Sequence, residues 1–178
     1  MGRIILIEAS DIAEYRPIGS GVNEATEIQS YIAEAQDLDI MPALGNPLFT
    51  DLCANRTEEN YKLLLEGCEY EYEQKTYSFV GLKAAICYFA HSRYQLNRNV
   101  QDTPFGAMVK GDNEYGRAVS DKEIQRVAIQ SKTTGQSYLD AAILYLKRNS
   151  EDFELFESSD CDEKRVRPKA GFRMTKIG

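Results

Sequence analysis

Two long stretches, 72–98 and 121–148, carry apolar residues at helical spacing, and they restrict the chain to folds built on paired helices. In the first, Tyr77, Val80, Ala84, Cys87, Tyr88, His91 and Tyr94 keep the helical interval. In the second, Ile124, Val127, Ala128, Ser131, Tyr138, Ala142, Tyr145 and Leu146 mark one face. Ala84, Ala85 and Ala90 are small enough for close helix contact, and Gly81 serves the same purpose at some cost in helix propensity. The second helix has a clear start. In Ser120-Asp121-Lys122-Glu123, the serine can accept from the Glu123 backbone while the glutamate reaches back. Gly135 marks a place where this helix can kink.

Shorter elements precede the pair. Residues 3–8, rich in Ile and Leu, read as a strand. Residues 9–22 read as an arm broken by Pro17, Gly19, Ser20 and Gly21. Ile28, Tyr31, Ile32, Ala35 and Leu38 predict a helix over 24–39, capped by Asn23 and ended by Pro42. Asn46-Pro47 opens a short helix that buries Leu48, Phe49, Leu52 and Cys53. Thr57 can cap a third helix over 58–68, with Tyr61, Leu64, Leu65 and Cys68 inward. Between the long helices, 103–119 changes to strand-like residues around Gly111, Asp112 and Asn113, which predicts a β-hairpin. Phe153, Leu155 and Phe156 suggest a short closing strand. The expected fold is mainly α: a helical bundle with a β-hairpin insertion and extended N- and C-terminal arms. Its parts are an N-terminal strand and arm at 1–22, a helical body at 23–157 and a basic arm at 158–178.

Charge is divided along the chain. Of the 21 basic residues, six lie in 164–178 with no acid beside them, so the other 163 residues hold 15 basic and 28 acidic side chains, net −13. An acidic body with a basic tail implies two different contact surfaces. No apolar run reaches the ~18–20 residues of a membrane helix, and Arg3-Ile-Ile-Leu-Ile7 is too short for a signal-peptide core, so the chain is expected to be made in the cytosol.

Little in the sequence points to catalysis. His91, the single histidine, falls on an inward helix face without a neighbouring nucleophile motif, and reads as structural. Cys53, Cys68, Cys87 and Cys161 are too widely spaced for a zinc site and are expected to be reduced. Gly19-Ser-Gly-Val-Asn-Glu24 lacks the third glycine and preceding strand of a dinucleotide loop, and the acids match no calcium loop. No catalytic, cofactor or metal residues are assigned. The eleven tyrosines, with Tyr70, Tyr72 and Tyr77 clustered, fit either a subunit interface or ordinary core.

Three runs, in order, resemble a known family. They are Asp39-Ile-Met-Pro-Ala-Leu-Gly-Asn-Pro-Leu-Phe-Thr-Asp-Leu52, Gly81-Leu-Lys-Ala-Ala-Ile-Cys-Tyr-Phe-Ala-His-Ser-Arg-Tyr94, and Thr103-Pro-Phe-Gly-Ala-Met-Val-Lys110 followed by the Ser120 helix. Across about 24–150 the chain resembles small head-tail connector, or neck adaptor, proteins of tailed bacteriophages. The resemblance implies a non-enzymatic virion protein at the head-tail junction, made in the host cytoplasm. It implies a ring homo-oligomer, commonly of twelve copies, with the portal and the next neck or tail protein as partners and a channel that DNA passes without specific binding. Two sets of residues are expected to bind partners: Phe105, Met108 and Val109 of the hairpin, and Lys164, Arg165, Arg167, Lys169, Phe172, Arg173 and Lys176 of the tail. The alternative is a DNA-binding packaging protein resembling a small terminase subunit. The basic tail favours it and the net −13 body opposes it.

Overall fold

The computed structural model describes residues 4–16, 28–97, 100–103, 106–109 and 120–156, with the strands at 100–109 described by their backbone. The fold is mainly helical. Its elements in order are α1 (Ala9–Tyr15), α2 (Gln29–Ala35), a π segment (Gln36–Ile40), α3 (Met41–Leu44), α4 (Asn46–Asn55) and α5 (Glu59–Glu66), then β1 (Cys68–Tyr72), β2 (Lys75–Phe79), α6 (Leu82–Asn97), β3 (Val100–Thr103), β4 (Gly106–Val109) and α7 (Asp121–Arg148).

α6 is the centre of the molecule. Leu82, Ala84, Ala85, Ile86, Cys87, Phe89, Ala90 and Tyr94 are all buried, so it is covered on nearly every side, as a helix apolar around most of its girth must be. α7 packs along it. The expected capping box is present: Ser120 Oγ accepts from the Glu123 backbone, and the Glu123 carboxylate accepts from the Ser120 N–H at 3.0 Å. α7 runs unbroken through Gly135, whose role is packing. A Cβ there would lie 3.1 Å from Phe89 Cδ1, so the missing side chain lets the Phe89 ring approach the α7 backbone.

Several expectations need correction. Residues 4–8 are not a strand. Their backbone groups are held by side chains: the fully buried Gln36 accepts from Leu6 N–H at 2.8 Å and donates to Ile4 O at 3.1 Å, and Arg56 donates to Ile5 O at 3.1 Å. The arm expected at 9–22 begins as α1. Glu8 N–H donates to Asp11 Oδ2 at 2.7 Å, Ile12 is buried, and Asp11 pairs with Lys83 of α6 at 2.6 Å. Residues 17–27, including the Asn23 cap and the start of the predicted 24–39 helix, lie outside the described residues.

Pro42 does not end that helical path. It sits in the first turn of α3, and the π segment precedes it. Pro42 has no N–H to offer the Leu38 carbonyl, and its ring would crowd that carbonyl in a regular helix; a widened turn relieves both. The extra residue advances the register, so Gln36 and Ile40 point inward while Leu38, expected in the core, is 64% exposed.

The largest error concerns 68–81. The predicted helix over 72–98 begins only at Leu82, and an antiparallel hairpin stands before it, pairing Cys68 with Phe79 and Tyr70 with Tyr77. Gly67 (φ 93°) and Gly81 (φ 103°) pin its base. A Cβ on either would come within 2.4 Å of a backbone carbonyl oxygen, Phe79 O or Leu65 O. Val80, expected on the buried helix face, is exposed. The closing strand at 153–156 is also absent. These residues form turns, and Phe153 packs its ring on Tyr61 and Tyr145. α5 starts at Glu59 with Glu58, not Thr57, as its N-cap.

Candidate partner interface

Of the residues expected to bind partners, the structure places Met108 and Val109. They lie on β4, opposite Gln101 and Val100 of β3. The hairpin stands between the long helices, as expected, but earlier than the 103–119 predicted. The described strands, 100–103 and 106–109, reverse between Thr103 and Gly106, and the turn expected at 111–113 lies outside the described residues. Phe105 and residues 110–119 lie outside the described residues. So do Lys164, Arg165, Arg167, Lys169, Phe172, Arg173 and Lys176, and nothing structural is added to them.

The two long helices expose apolar side chains. Leu96, in the last turn of α6, is 51% exposed, and Ile129 on α7 is 65% exposed. With Ser92, Gln125, Ala128 and Lys132 they line a groove of about 240 Å³ between the two helices. Ile129 lies one residue outside the buried stripe, which is why helical spacing did not single it out.

Beneath this groove the helices are joined by polar groups. Ser92 Oγ donates to Ala128 O at 2.8 Å. His91 is buried, with Nε2 at 2.9 Å from Gln95 Nε2 and Nδ1 at 3.0 Å from Ser131 Oγ. The ring thus bridges α6 and α7, with donor and acceptor roles at each nitrogen set by the tautomer. Both nitrogens are engaged by neighbours, which is the structural role expected.

The clustered tyrosines form a second feature. Tyr70 and Tyr77 stack across the β1–β2 pair with centroids 5.7 Å apart, and Tyr145 of α7 meets Tyr70 edge-on at 5.0 Å. Arg148 closes the group: its guanidinium lies 3.9 Å from the Tyr77 centroid and donates to Tyr70 Oη at 2.9 Å. Burial, and then a hydrogen bond with Cys68, push the Tyr145 phenol above its ordinary range. Most of the cluster therefore fastens the hairpin to the end of α7, and Tyr72 is left as its exposed member. The opposite face of β1 carries Glu69 and Glu71, both exposed, followed by Glu73 in the turn.

Among the described residues, no group of three His, Cys, Asp or Glu side chains is placed to hold a metal ion, and no helix is long and apolar enough to cross a membrane. Cys53 and Cys68 are half-buried free thiols and Cys87 is buried, its thiol pushed up to about 12 by burial and by the nearby Asp11 charge. Cys161 lies outside the described residues.

Comparison with curated proteins and with solved structures gives no match. One family model matches residues 40–166, from the last residue of the π segment through α7 and beyond, and its description is a family of unknown function, DUF6712. The match takes in the tyrosine cluster, both hairpins and both long helices, well over half of the chain, and the protein belongs to the DUF6712 family.

Proposed function

We propose that the protein is a structural virion subunit that assembles into a head-tail connector ring, docks on a phage portal and leaves a channel for DNA. The observation that carries this reading is the exposed apolar pair Leu96 and Ile129 on the two longest helices, which the chain joins through a hairpin. Exposed apolar residues at one end of a helix pair are unfavourable in a lone monomer and favourable once a neighbour covers them. The resemblance of the three sequence runs to neck adaptors supplies the identity of the assembly. The acidic body suits a lumen that DNA must not stick to, since like charge opposes phosphate binding.

The test is native mass measurement of the protein alone and with a portal protein. A ring species, alone or on the portal, is the expected result. Deleting 106–116 is expected to leave a folded monomer. A normal ring from that deletion would end the role given to the hairpin, and a chain that stays monomeric even with a portal would end the ring reading. Tight retention of duplex DNA at physiological salt would instead favour the packaging-protein alternative.

A further inference from the structure

Among the described residues, β1 pairs with β2 alone, so the outer edge of β1 has backbone donors and acceptors with no strand beside them. The strand has two distinct faces. Tyr70 and the exposed Tyr72 lie on one; Glu69 and Glu71 lie on the other, with Glu73 next in the turn. Such an edge selects a partner with the opposite two-residue alternation. The chain contains one. In Lys164-Arg-Val-Arg-Pro-Lys-Ala170, an extended backbone puts Arg165, Arg167 and Lys169 on one side and Val166, Pro168 and Ala170 on the other, with Lys164 at the near end of that second side.

We infer that residues 164–170 of a second copy add to the outer edge of β1 as a third strand. The basic row lies beside Glu69 and Glu71, and the apolar row lies beside Tyr70 and Tyr72. The inference rests on the self-assembling reading above and names the contact that would join one subunit to the next.

Pro168 fits this place. It has no N–H, and the outermost strand of a sheet is where a proline nitrogen can face solvent. Reach fits as well. Seven residues, 157–163, separate the described fold from Lys164 and span at most about 25 Å. The chain leaves that fold with Leu155 against Asn46, Thr50 and Ala54 of α4, and Phe153 lies between this exit and the Tyr145 cluster that carries the hairpin.

A labelled peptide of residues 161–178 is titrated into the chain truncated after Asp160. The expected result is binding that weakens steeply as salt rises. Glu69→Lys, Glu71→Lys and Glu73→Lys together should weaken it about tenfold or more. Glu14→Lys, Asp140→Lys and Glu151→Lys, an equal charge change at other exposed sites, should not. Equal weakening by both sets would overturn the proposal. All three residues of the first set are exposed, and circular dichroism verifies that the variant is folded.

A mixing experiment separates neighbour from self. The truncated chain has an edge and no tail; the full-length Glu69→Lys, Glu71→Lys, Glu73→Lys chain has a tail and no edge. Together they should sediment as a one-to-one complex that neither forms alone. Peptide binding without that complex would show that the tail, within the whole chain, does not engage a second copy's edge, and would overturn the second-copy assignment. A wild-type chain that stays monomeric, beside a charge-sensitive peptide complex, would place the tail on its own edge and overturn the second-copy assignment together with the ring. An intact ring with no peptide binding would overturn the tail–edge contact and leave the ring standing.

Discussion

Gly135→Ala tests the closest approach between α6 and α7. Two effects oppose each other. Replacing a helix-interior glycine by alanine favours the helix by about 1 kcal/mol. The new methyl, however, would sit 3.1–3.3 Å from Cδ1, Cε1 and Cγ of Phe89, a ring that is 1% exposed. Overfilling such a site costs about 1–3 kcal/mol, because a ring enclosed by the core must move as a unit. The net expectation is destabilisation by roughly 1 kcal/mol, a fall of about 2–4 °C in melting temperature for a chain of this size. The sign should reverse when the ring is removed. In a Phe89→Leu background, Gly135→Ala should stabilise by up to about 1 kcal/mol, giving a coupling of about 1–2 kcal/mol between the two sites. Urea unfolding of the four proteins, followed by circular dichroism, measures both quantities. If Gly135→Ala stabilises the otherwise native chain, or if the two changes are additive, the glycine is not there to admit Phe89 and the packing argument fails.

Gln36→Leu leaves Leu6 N–H and Ile4 O without their side-chain partner. It should cost about 1–3 kcal/mol and abolish the slow hydrogen exchange of the Leu6 amide; an unchanged exchange rate would show that Gln36 does not hold the N-terminal segment. Arg148→Ala removes the guanidinium from the Tyr77 face and from Tyr70 Oη. Faster exchange across β1 and β2 and a weaker tyrosine signal in near-ultraviolet circular dichroism are expected, with α6 and α7 unaffected. Cys87 predicts an alkaline instability. Its thiol stays protonated in the folded chain up to about 12, whereas an exposed thiol releases its proton near 9.0. Raising pH through that window therefore favours the unfolded chain, by roughly 4 kcal/mol at its upper end. Cys87→Ala should flatten the decline above pH 9, measured by unfolding at a series of pH values.

The parts of the fold that were legible in sequence are those in which local signals and burial agree. α7 follows its capping box and apolar stripe to both ends, Asp121 and Arg148. α4 starts at Asn46 beside Pro47 as expected. The misreadings have physical causes. Helical spacing cannot show a π turn, whose added residue exchanges Leu38 for Ile40 in the core, and no polarity scale marks Gln36 as fully buried. α1 buries only Ile12, too little for a periodic signal. The β1–β2 hairpin was missed because Tyr77 and Val80 fall in phase with the helix that follows. Its turn uses Glu73 and Gln74 at positive φ, residues that carry no turn signature, while the decisive glycines, Gly67 and Gly81, stand at its base.

That error changes the meaning of the tyrosines. Read as a helix start, Tyr70, Tyr72 and Tyr77 were candidates for a subunit surface. On a hairpin, alternation divides the segment into two sides. Tyr70 and Tyr77 turn inward to Tyr145 and Arg148, and Glu69 and Glu71 turn outward. Tyr70 and Tyr77 are spent on fixing the hairpin to α7, so in the proposed contact recognition falls to the acidic side, to the exposed Tyr72 and to the β1 edge, which no described strand pairs. Charge then sorts the possible partners. An acidic edge repels nucleic acid and attracts a basic segment, and the tail at 164–178 gathers six of the chain's 21 basic residues. In the proposed contact the tail's basic row meets the acidic edge of the next copy, so the division of charge along the chain supplies both sides of the interface.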